Sequence, residues 1–251
     1  MAGTIEAAHL GQSAGRAFDD YIRTVEMEIA RNTQPAAGFE GDLRAADFQV
    51  QPVNGGSWHV SGGLLHHWRA TALAPGATAE QMLALLEDYD HLAAYYAPEV
   101  ASSRMLSGGR EAATVLMRFR KQTVLTVVLD AEFETRSGLT AAGRGYTISR
   151  SRHIWQVDHP GSARERRRSE GEDDGYLWRL NSYWEFVETP AGLLIECDAV
   201  SLTRDVPAGL EWLIRPIIQA LPRKSLEFTL TATKNALAIS AMRRSADDHA
   251  N

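Results

Sequence analysis

The chain has 251 residues, of which 44% are hydrophobic and 23% are charged. This is the composition of a globular protein with enough chain to bury a substantial core. The formal net charge of -6 argues against binding to duplex nucleic acid and gives no attraction to an anionic membrane surface. The single cysteine, Cys197, lies in an alternating apolar segment and is interpreted as a buried side chain.

The N-terminus as given carries no recognisable targeting segment. Met1 to Leu10 contains Glu6 and His9 and lacks the apolar core that a secretory signal needs. No stretch is apolar for long enough to span a membrane. A cytoplasmic protein is therefore the expectation, with export as the alternative if the native N-terminus was truncated.

The residues before Gly63 differ in pattern from the rest of the chain. Phe18, Ile22, Val25 and Ile29 recur at helical spacing and predict one amphipathic helix. The following stretch holds only short apolar pieces between prolines and glycines, which predicts an edge strand or an irregular arm.

From Leu64 onward the pattern is that of an α+β domain. A strand from Leu64 to Ala74 precedes two short helices, and Thr78 is expected to cap the first of them. Alternating apolar segments then predict six further strands, joined by turns so short that neighbouring strands must be antiparallel. These strands run approximately from Val100 to Leu106, Ala112 to Lys121, Thr123 to Thr135, Arg144 to Val157, Tyr176 to Glu188 and Leu193 to Arg204.

A long helix is predicted after the last strand. Leu210, Ile214 and Ile217 share one face of this helix. Pro216 and Pro222 are expected to bend or interrupt it. The chain is accordingly divided into an extension at 1–62, a domain at 63–240 and a frayed tail at 241–251.

Alternation along the strands assigns an apolar inner face to the sheet. Val127 and Leu129 alternate with Thr126 and Asp130, so the apolar set is expected to face the terminal helix. A curved sheet that grips a helix in this way is suited to holding an apolar ligand. The residues expected to contact such a ligand are Met117, Phe119, Val127, Leu129, Tyr176, Trp178, Leu180, Trp184, Ile195, Ser201, Ile214 and Ile217.

The connections between strands alternate between the two ends of the sheet, because each hairpin reverses the chain. The turn at Gln122, the insertion at 159–175 and the corner at 203–207 fall at one end, where we expect the entrance to the ligand space. The insertion carries four arginines and five acidic residues. Such a mixed run is typical of a solvated loop and not of a phosphate or nucleic-acid site.

The sequence contains no recognisable catalytic or metal-binding motif, and we predict no cofactor and no metal site. His66 and His67 are adjacent on a strand and should point to opposite faces, which excludes a metal site that both would share. The polar groups that alternation allows near the ligand are Tyr176, Ser182, Ser201 and Lys121.

The order of one strand, two helices, six strands and a long helix is similar to the helix-grip fold of the START-like superfamily, also called SRPBCC. Its members include lipid-transfer domains and polyketide cyclases. The resemblance covers roughly Gly63 to Leu237 and implies a curved seven-stranded antiparallel sheet around a long C-terminal helix, in the order β-α-α-β-β-β-β-β-β-α, with an N-terminal helical extension. The segments that resemble a bacterial group of uncharacterised START-like proteins are Gly63 to Trp68, Val124 to Leu129, Gly175 to Trp184, Ser201 to Trp212 and Pro222 to Thr231.

Three functions are compatible with this pattern. The preferred one is non-enzymatic binding or carriage of a hydrophobic small molecule, such as a lipid, between the sheet and the helix. The first alternative is a cyclase or hydratase that uses Tyr176, Lys121 or a histidine as acid or base. The second alternative is a protein-interaction module that presents an exposed apolar face of the N-terminal helix.

Overall fold

The computed structural model describes residues 11–31, 48–122, 126–140, 143–169, 172–205 and 211–248, and within the last helix it describes the side chains of 220–240. The strands are β1 (Phe48–Val60), β2 (Gly63–Ala74), β3 (Val100–Gly108), β4 (Ala112–Gln122), β5 (Thr126–Leu139), β6 (Arg144–Asp158), β7 (Arg166–Arg167), β8 (Arg179–Thr189) and β9 (Gly192–Thr203). The helices are α1 (Gln12–Arg31), α2 (Ala79–Leu86), α3 (Leu92–Tyr96) and α4 (Glu211–Asp248).

The strands form one antiparallel sheet in the spatial order β1-β2-β9-β8-β6-β5-β4-β3, and the short β7 pairs with the end of β6. The two short helices and α4 pack on one face of this sheet. This arrangement confirms the predicted α+β helix-grip fold. The sheet has nine strands and not seven, because β1 pairs with β2 and two residues of the insertion pair with β6.

The start of α2 shows how local sequence sets an element boundary. Thr78 Oγ1 accepts a hydrogen bond from the backbone N–H of Gln81 at 3.3 Å, and Gln81 Oε1 accepts one from the backbone N–H of Thr78 at 3.1 Å. This reciprocal capping box satisfies two donors that the first helical turn leaves unpaired. The cap predicted at Thr78 is therefore confirmed.

The inner face of the sheet carries the larger core. Apolar side chains of β2, β4, β8 and β9 pack there against α2, α3 and α4. In β9 the inward set is Leu193, Ile195 and Cys197, as alternation predicts. The most completely buried large side chains of this core include Phe186, Met82, Leu230 and Leu237.

The outer face of the sheet at β2, β8 and β9 is covered by α1. Phe18, Ile22 and Val25 of α1 are buried against Leu65 of β2 and Val200 of β9. The predicted amphipathic helix is thus present, and the sheet covers its apolar stripe. An interaction module would need this stripe to be exposed, so the structure removes the observation on which that alternative depends.

The terminal helix α4 runs from Glu211 to Asp248 without a break. Of the two effects predicted for Pro216 and Pro222, the interruption does not occur, and the bend stays a prediction. A proline inside a helix removes one backbone hydrogen bond, but burial of the following leucine stripe holds this helix against the sheet. The stripe consists of Leu226, Leu230 and Leu237. Although α4 is long, neither it nor any other helix in the described ranges is apolar enough over a sufficient length to cross a membrane.

Candidate functional site

The candidate site lies on the inner face of β4, close to the end of the sheet where β4, β6 and β9 finish. Met117, Phe119 and Lys121 succeed one another on this face, and we call them the β4 strip. Phe119 lies opposite Leu129 of β5, and its ring meets that of Phe133 edge-on, with 6.1 Å between ring centroids. The strip is therefore apolar until its last member, which carries a positive charge.

Burial decreases along β4 toward the strip. Val115, the preceding inward residue, is fully buried, whereas Met117 and Phe119 are only partly buried. On α4, Phe228 and Ala232 border the same core and are partly buried too. The main packing of α4 on the sheet is against β1 and β2, at the opposite side from β4. The apolar side chains on the β4 side of this core therefore remain partly exposed to solvent.

Lys121 ends the β4 strip with an ion pair. Its ammonium group contacts the carboxylate of Glu99 and donates a hydrogen bond to Ser225 Oγ at 3.0 Å. Glu99 directly precedes β3 and Ser225 belongs to α4, so three elements meet at this ammonium group. The Lys121 and Glu99 side chains are 26% and 24% exposed, which places the pair at a rim and not in the core.

Several other predicted contact residues lie on the same face of the sheet. Leu180 is opposite Ser201, and Val127 is opposite Lys121. Trp184 and Ile195 also point inward but belong to the closed core, as does Leu129 by its low exposure. The inner-face position that alternation predicted for these side chains is therefore confirmed. Their contact with a ligand stays a prediction.

Two predicted contact residues lie outside strand β8. The strand begins at Arg179, so alternation does not extend back to Tyr176 or Trp178. Tyr176 is 40% exposed on the preceding loop. Trp178 packs in the outer cluster under α1, and its indole N–H donates to Asp173 Oδ1 at 3.0 Å. The inward orientation predicted for Trp178 is wrong, because the chain has not yet entered the sheet at that residue.

Ile214 and Ile217 lie on α4, in its first half. Their side chains fall outside the described part of the chain, as does Leu210 entirely. The contribution of Ile214 and Ile217 to ligand contact remains a prediction.

His66 is buried on the inner face of β2. Its Nε2 is 3.0 Å from Thr203 Oγ1, and its Nδ1 is 2.7 Å from Ser57 Oγ. The Thr203 hydroxyl donates to the carbonyl of Arg204, so it accepts from Nε2–H and leaves Nδ1 to accept from Ser57. Burial lowers the pKa of His66 to about 4, so the ring is neutral near pH 7.

His67 points to the outer face, which confirms that the two adjacent histidines diverge. Its Nδ1 is 2.7 Å from Tyr21 Oη of α1, and its Nε2 is 2.8 Å from Asp198 Oδ1. Arg69 Nη2 also binds Asp198, at 3.0 Å from Oδ2. This polar network lies between α1 and the sheet and links the two.

The three groups considered as acid or base do not form one centre. His66 lies on β2 and Lys121 on β4, with four strands between them in the sheet. Tyr176 lies on the loop before β8. His66 and Lys121 bind separate protein partners, so these three groups do not form a convergent acid–base pair with one another.

The charged insertion is anchored to the outer face of the sheet. Asp130 accepts hydrogen bonds from Arg118 at 2.7 Å and from Arg167 at 2.8 Å, and Arg167 also lies over the ring of Trp155. Burial would raise the pKa of Asp130, but the bonds from both arginines outweigh it and lower the pKa. Most residues of the insertion up to Ser169 are exposed, as expected of a solvated loop, and Arg166, Arg167 and Arg168 in addition pair with carboxylates of the protein.

We expect Glu196 to make stability depend on pH. Glu196 is 3% exposed, with Oε1 3.3 Å from Arg69 Nε. Burial raises its pKa from 4.5 to about 7, although Arg69 lowers it. A carboxyl with a higher pKa in the folded state binds more protons when folded. The unfolding free energy therefore falls as the pH rises through the interval between 4.5 and about 7. The loss is up to about 3 kcal/mol by pH 8.

Urea unfolding of Glu196→Gln and of the parent protein at pH 5 and pH 8 measures this dependence. The amide carries no charge to bury, so the variant should gain stability over the parent at pH 8 and differ little at pH 5. Glu134→Gln, on an exposed carboxylate that pairs with Arg152, serves as the control and should not change the pH profile. Identical profiles for Glu196→Gln and the parent would contradict the prediction.

No family model and no curated protein matches the chain. Among solved structures it is similar to a STAR-related lipid transfer protein from Xanthomonas axonopodis, at 12% identity and a TM-score of 0.47, over 78% of this chain and 99% of that one. It is also similar to the Zhui aromatase/cyclase from Streptomyces sp. R1128, at 15% identity and a TM-score of 0.47, over 72% and 96% of the two chains. Human STARD10 has 12% identity and a TM-score of 0.45, over 77% and 79%.

Proposed function

We propose that this protein binds an apolar small molecule between the β4 strip and α4. The observation that carries the proposal is the residual exposure of Met117 and Phe119 on the inner face, next to a core that is closed at Val115. A ligand that covered both side chains would remove their apolar surface from water. Concave apolar surface with a few polar groups at its border is typical of small-molecule sites.

The outer face of the same strands does not offer a comparable surface. There Arg118 and Asp130 pair with each other, and the insertion lies over them. An apolar molecule would have to separate this ion pair from its partners, which costs free energy without a hydrophobic gain. The inner side is therefore the favoured side for an apolar ligand.

Native mass spectrometry of the gently purified protein tests whether it carries such a molecule. We expect a mass increment of constant stoichiometry, which organic extraction removes and identifies. A protein that is free of ligand after purification should still bind the neutral probe N-phenyl-1-naphthylamine, with an increase in probe fluorescence. Absence of both results would overturn the proposed function.

Phe119→Ala tests where the molecule binds. Loss of the ring removes apolar contact with the ligand, and we expect the probe affinity to fall about five- to tenfold. Leu116→Ala is the matched control, because Leu116 lies on the same strand with similar partial burial but points to the outer face. Equal probe affinities for the two variants would place the ligand elsewhere.

A further inference from the structure

We infer that the bound molecule is an uncharged amphiphile whose polar end places an acceptor oxygen against the ammonium group of Lys121. The inference rests on the proposed function and adds the chemistry of one end of the ligand. It is carried by the geometry and the charge of the group formed by Lys121, Glu99 and Ser225, which we call the rim triad.

The first step of the argument is position. Lys121 follows Phe119 on the inner face, so an apolar chain that lies along Met117 and Phe119 ends at the ammonium group. The rim triad is partly exposed, whereas the inward residue at the other end, Val115, is buried. A molecule with one polar end would therefore place that end at the rim, where it keeps contact with water.

The second step is hydrogen-bonding capacity. A lysine ammonium group has three N–H donors and no acceptor. Two of these three donors have acceptors among the described residues, which are Glu99 Oε1 and Ser225 Oγ. The third N–H has no acceptor among the described residues, so an oxygen of the ligand can accept from it, and a hydrogen bond from a charged donor is stronger than one between neutral groups.

The third step is charge. The Glu99 carboxylate already compensates the charge of Lys121, so the rim triad is neutral as a unit. A ligand carboxylate would bring a second negative charge to one ammonium group, whereas a hydroxyl, ester or ketone oxygen brings none. His66, the buried histidine on the inner face, is neutral and is separated from β4 by four intervening strands. The electrostatics therefore favour an uncharged polar end.

Displacement of N-phenyl-1-naphthylamine by 1-dodecanol, methyl dodecanoate and dodecanoate at pH 8 tests the inference. The quantity compared between proteins is the ratio of the dodecanoate Kd to the 1-dodecanol Kd, which cancels changes in apolar contact common to both probes. Glu99→Gln leaves the Lys121 charge uncompensated, so this ratio should fall about tenfold relative to the parent. Methyl dodecanoate should behave as 1-dodecanol does.

Lys121→Met removes the donor while keeping a long apolar side chain. We expect it to weaken 1-dodecanol binding about tenfold. Arg120→Met is the matched control, because Arg120 is the exposed neighbour on the opposite face of β4, and it should leave all Kd values unchanged. Thermal unfolding of each variant checks that it folds, and if Lys121→Met fails to fold, the ratio in Glu99→Gln decides alone.

The outcomes separate the inference from the proposed function. An unchanged ratio in Glu99→Gln, in a parent protein that binds the probes, overturns the inference and leaves apolar binding intact. Tighter binding of dodecanoate than of 1-dodecanol by the parent protein also overturns the inference. A parent protein that binds none of the probes overturns the proposed function itself.

Discussion

Asp198→Ala is expected to lower the unfolding free energy by about 3–5 kcal/mol. Asp198 is 2% exposed and accepts hydrogen bonds from His67 Nε2 at 2.8 Å and from Arg69 Nε at 3.0 Å. Its removal leaves a buried imidazole N–H and a partly buried guanidinium group without this acceptor. Urea denaturation followed by tryptophan fluorescence measures the loss.

Asp20→Ala is the matched control for this substitution. Asp20 also pairs with an arginine, Arg23, but both side chains are exposed on α1. Exposed ion pairs contribute little, so the control should change stability by about 0.5 kcal/mol or less. A similarly small effect of Asp198→Ala would mean that the network between α1 and β9 does not stabilise the fold.

The same network explains why α1 packs on the sheet in a fixed orientation. Tyr21 of α1 binds His67, and Glu26, somewhat more than one turn later, accepts hydrogen bonds from Arg150 at 2.6 Å and from Tyr183 at 2.9 Å. Apolar burial alone is not directional, whereas these bonds fix the position of the helix along its axis. The outer face is therefore a second core with its own polar anchors.

Most of the fold could be predicted from the sequence because the two faces of its strands differ in polarity. In β5, Leu129 and Ala131 alternate with Asp130 and Glu132, and the structure places the two sets on opposite faces. β1 was harder to predict, since Pro52 and the glycines that follow it lie where the register with β2 shifts. Backbone pairing continues through such a bulge without an alternating pattern.

The sequence of β9 contains an indication of the second core under α1, but a prediction from alternation alone does not take it into account. Leu194, Val200 and Leu202 are apolar residues of β9 whose side chains point to the outer face, and all three are buried. Although Glu196 and Asp198 interrupt this outward set, apolar residues on both faces of a strand indicate that both faces are covered at those positions. Together with the amphipathic stripe of α1, this pattern would have favoured a helix packed on the outer face.

The candidate site was predictable in part. The inward orientation of Met117 and Phe119 follows from the alternation of side chains along a strand, which depends only on neighbouring residues. The rim triad joins Glu99, Lys121 and Ser225, and these residues meet only because β3, β4 and α4 come together in the fold. Such a contact depends on tertiary structure and has no local signature in the sequence.

Leu230→Ala is expected to lower the unfolding free energy by about 2–5 kcal/mol. Leu230 is fully buried in the inner core, and it lies between Leu226 and Leu237 on the stripe that holds α4 to the sheet. Truncation removes apolar contacts and leaves a cavity that a packed core fills only partly. Urea denaturation of the parent protein and the variant provides the measurement.

Ile239→Ala controls for the loss of a large apolar side chain from the same helix. Ile239 is 51% exposed, so its truncation should cost no more than about 0.5 kcal/mol. Because α4 forms one wall of the proposed site, loosening it through Leu230→Ala should also weaken binding of N-phenyl-1-naphthylamine, whereas Ile239→Ala should not. Equal stabilities of the two variants would mean that the leucine stripe does not hold α4 against the sheet. The structure would then give no reason for α4 to stay in place as a wall of the proposed site.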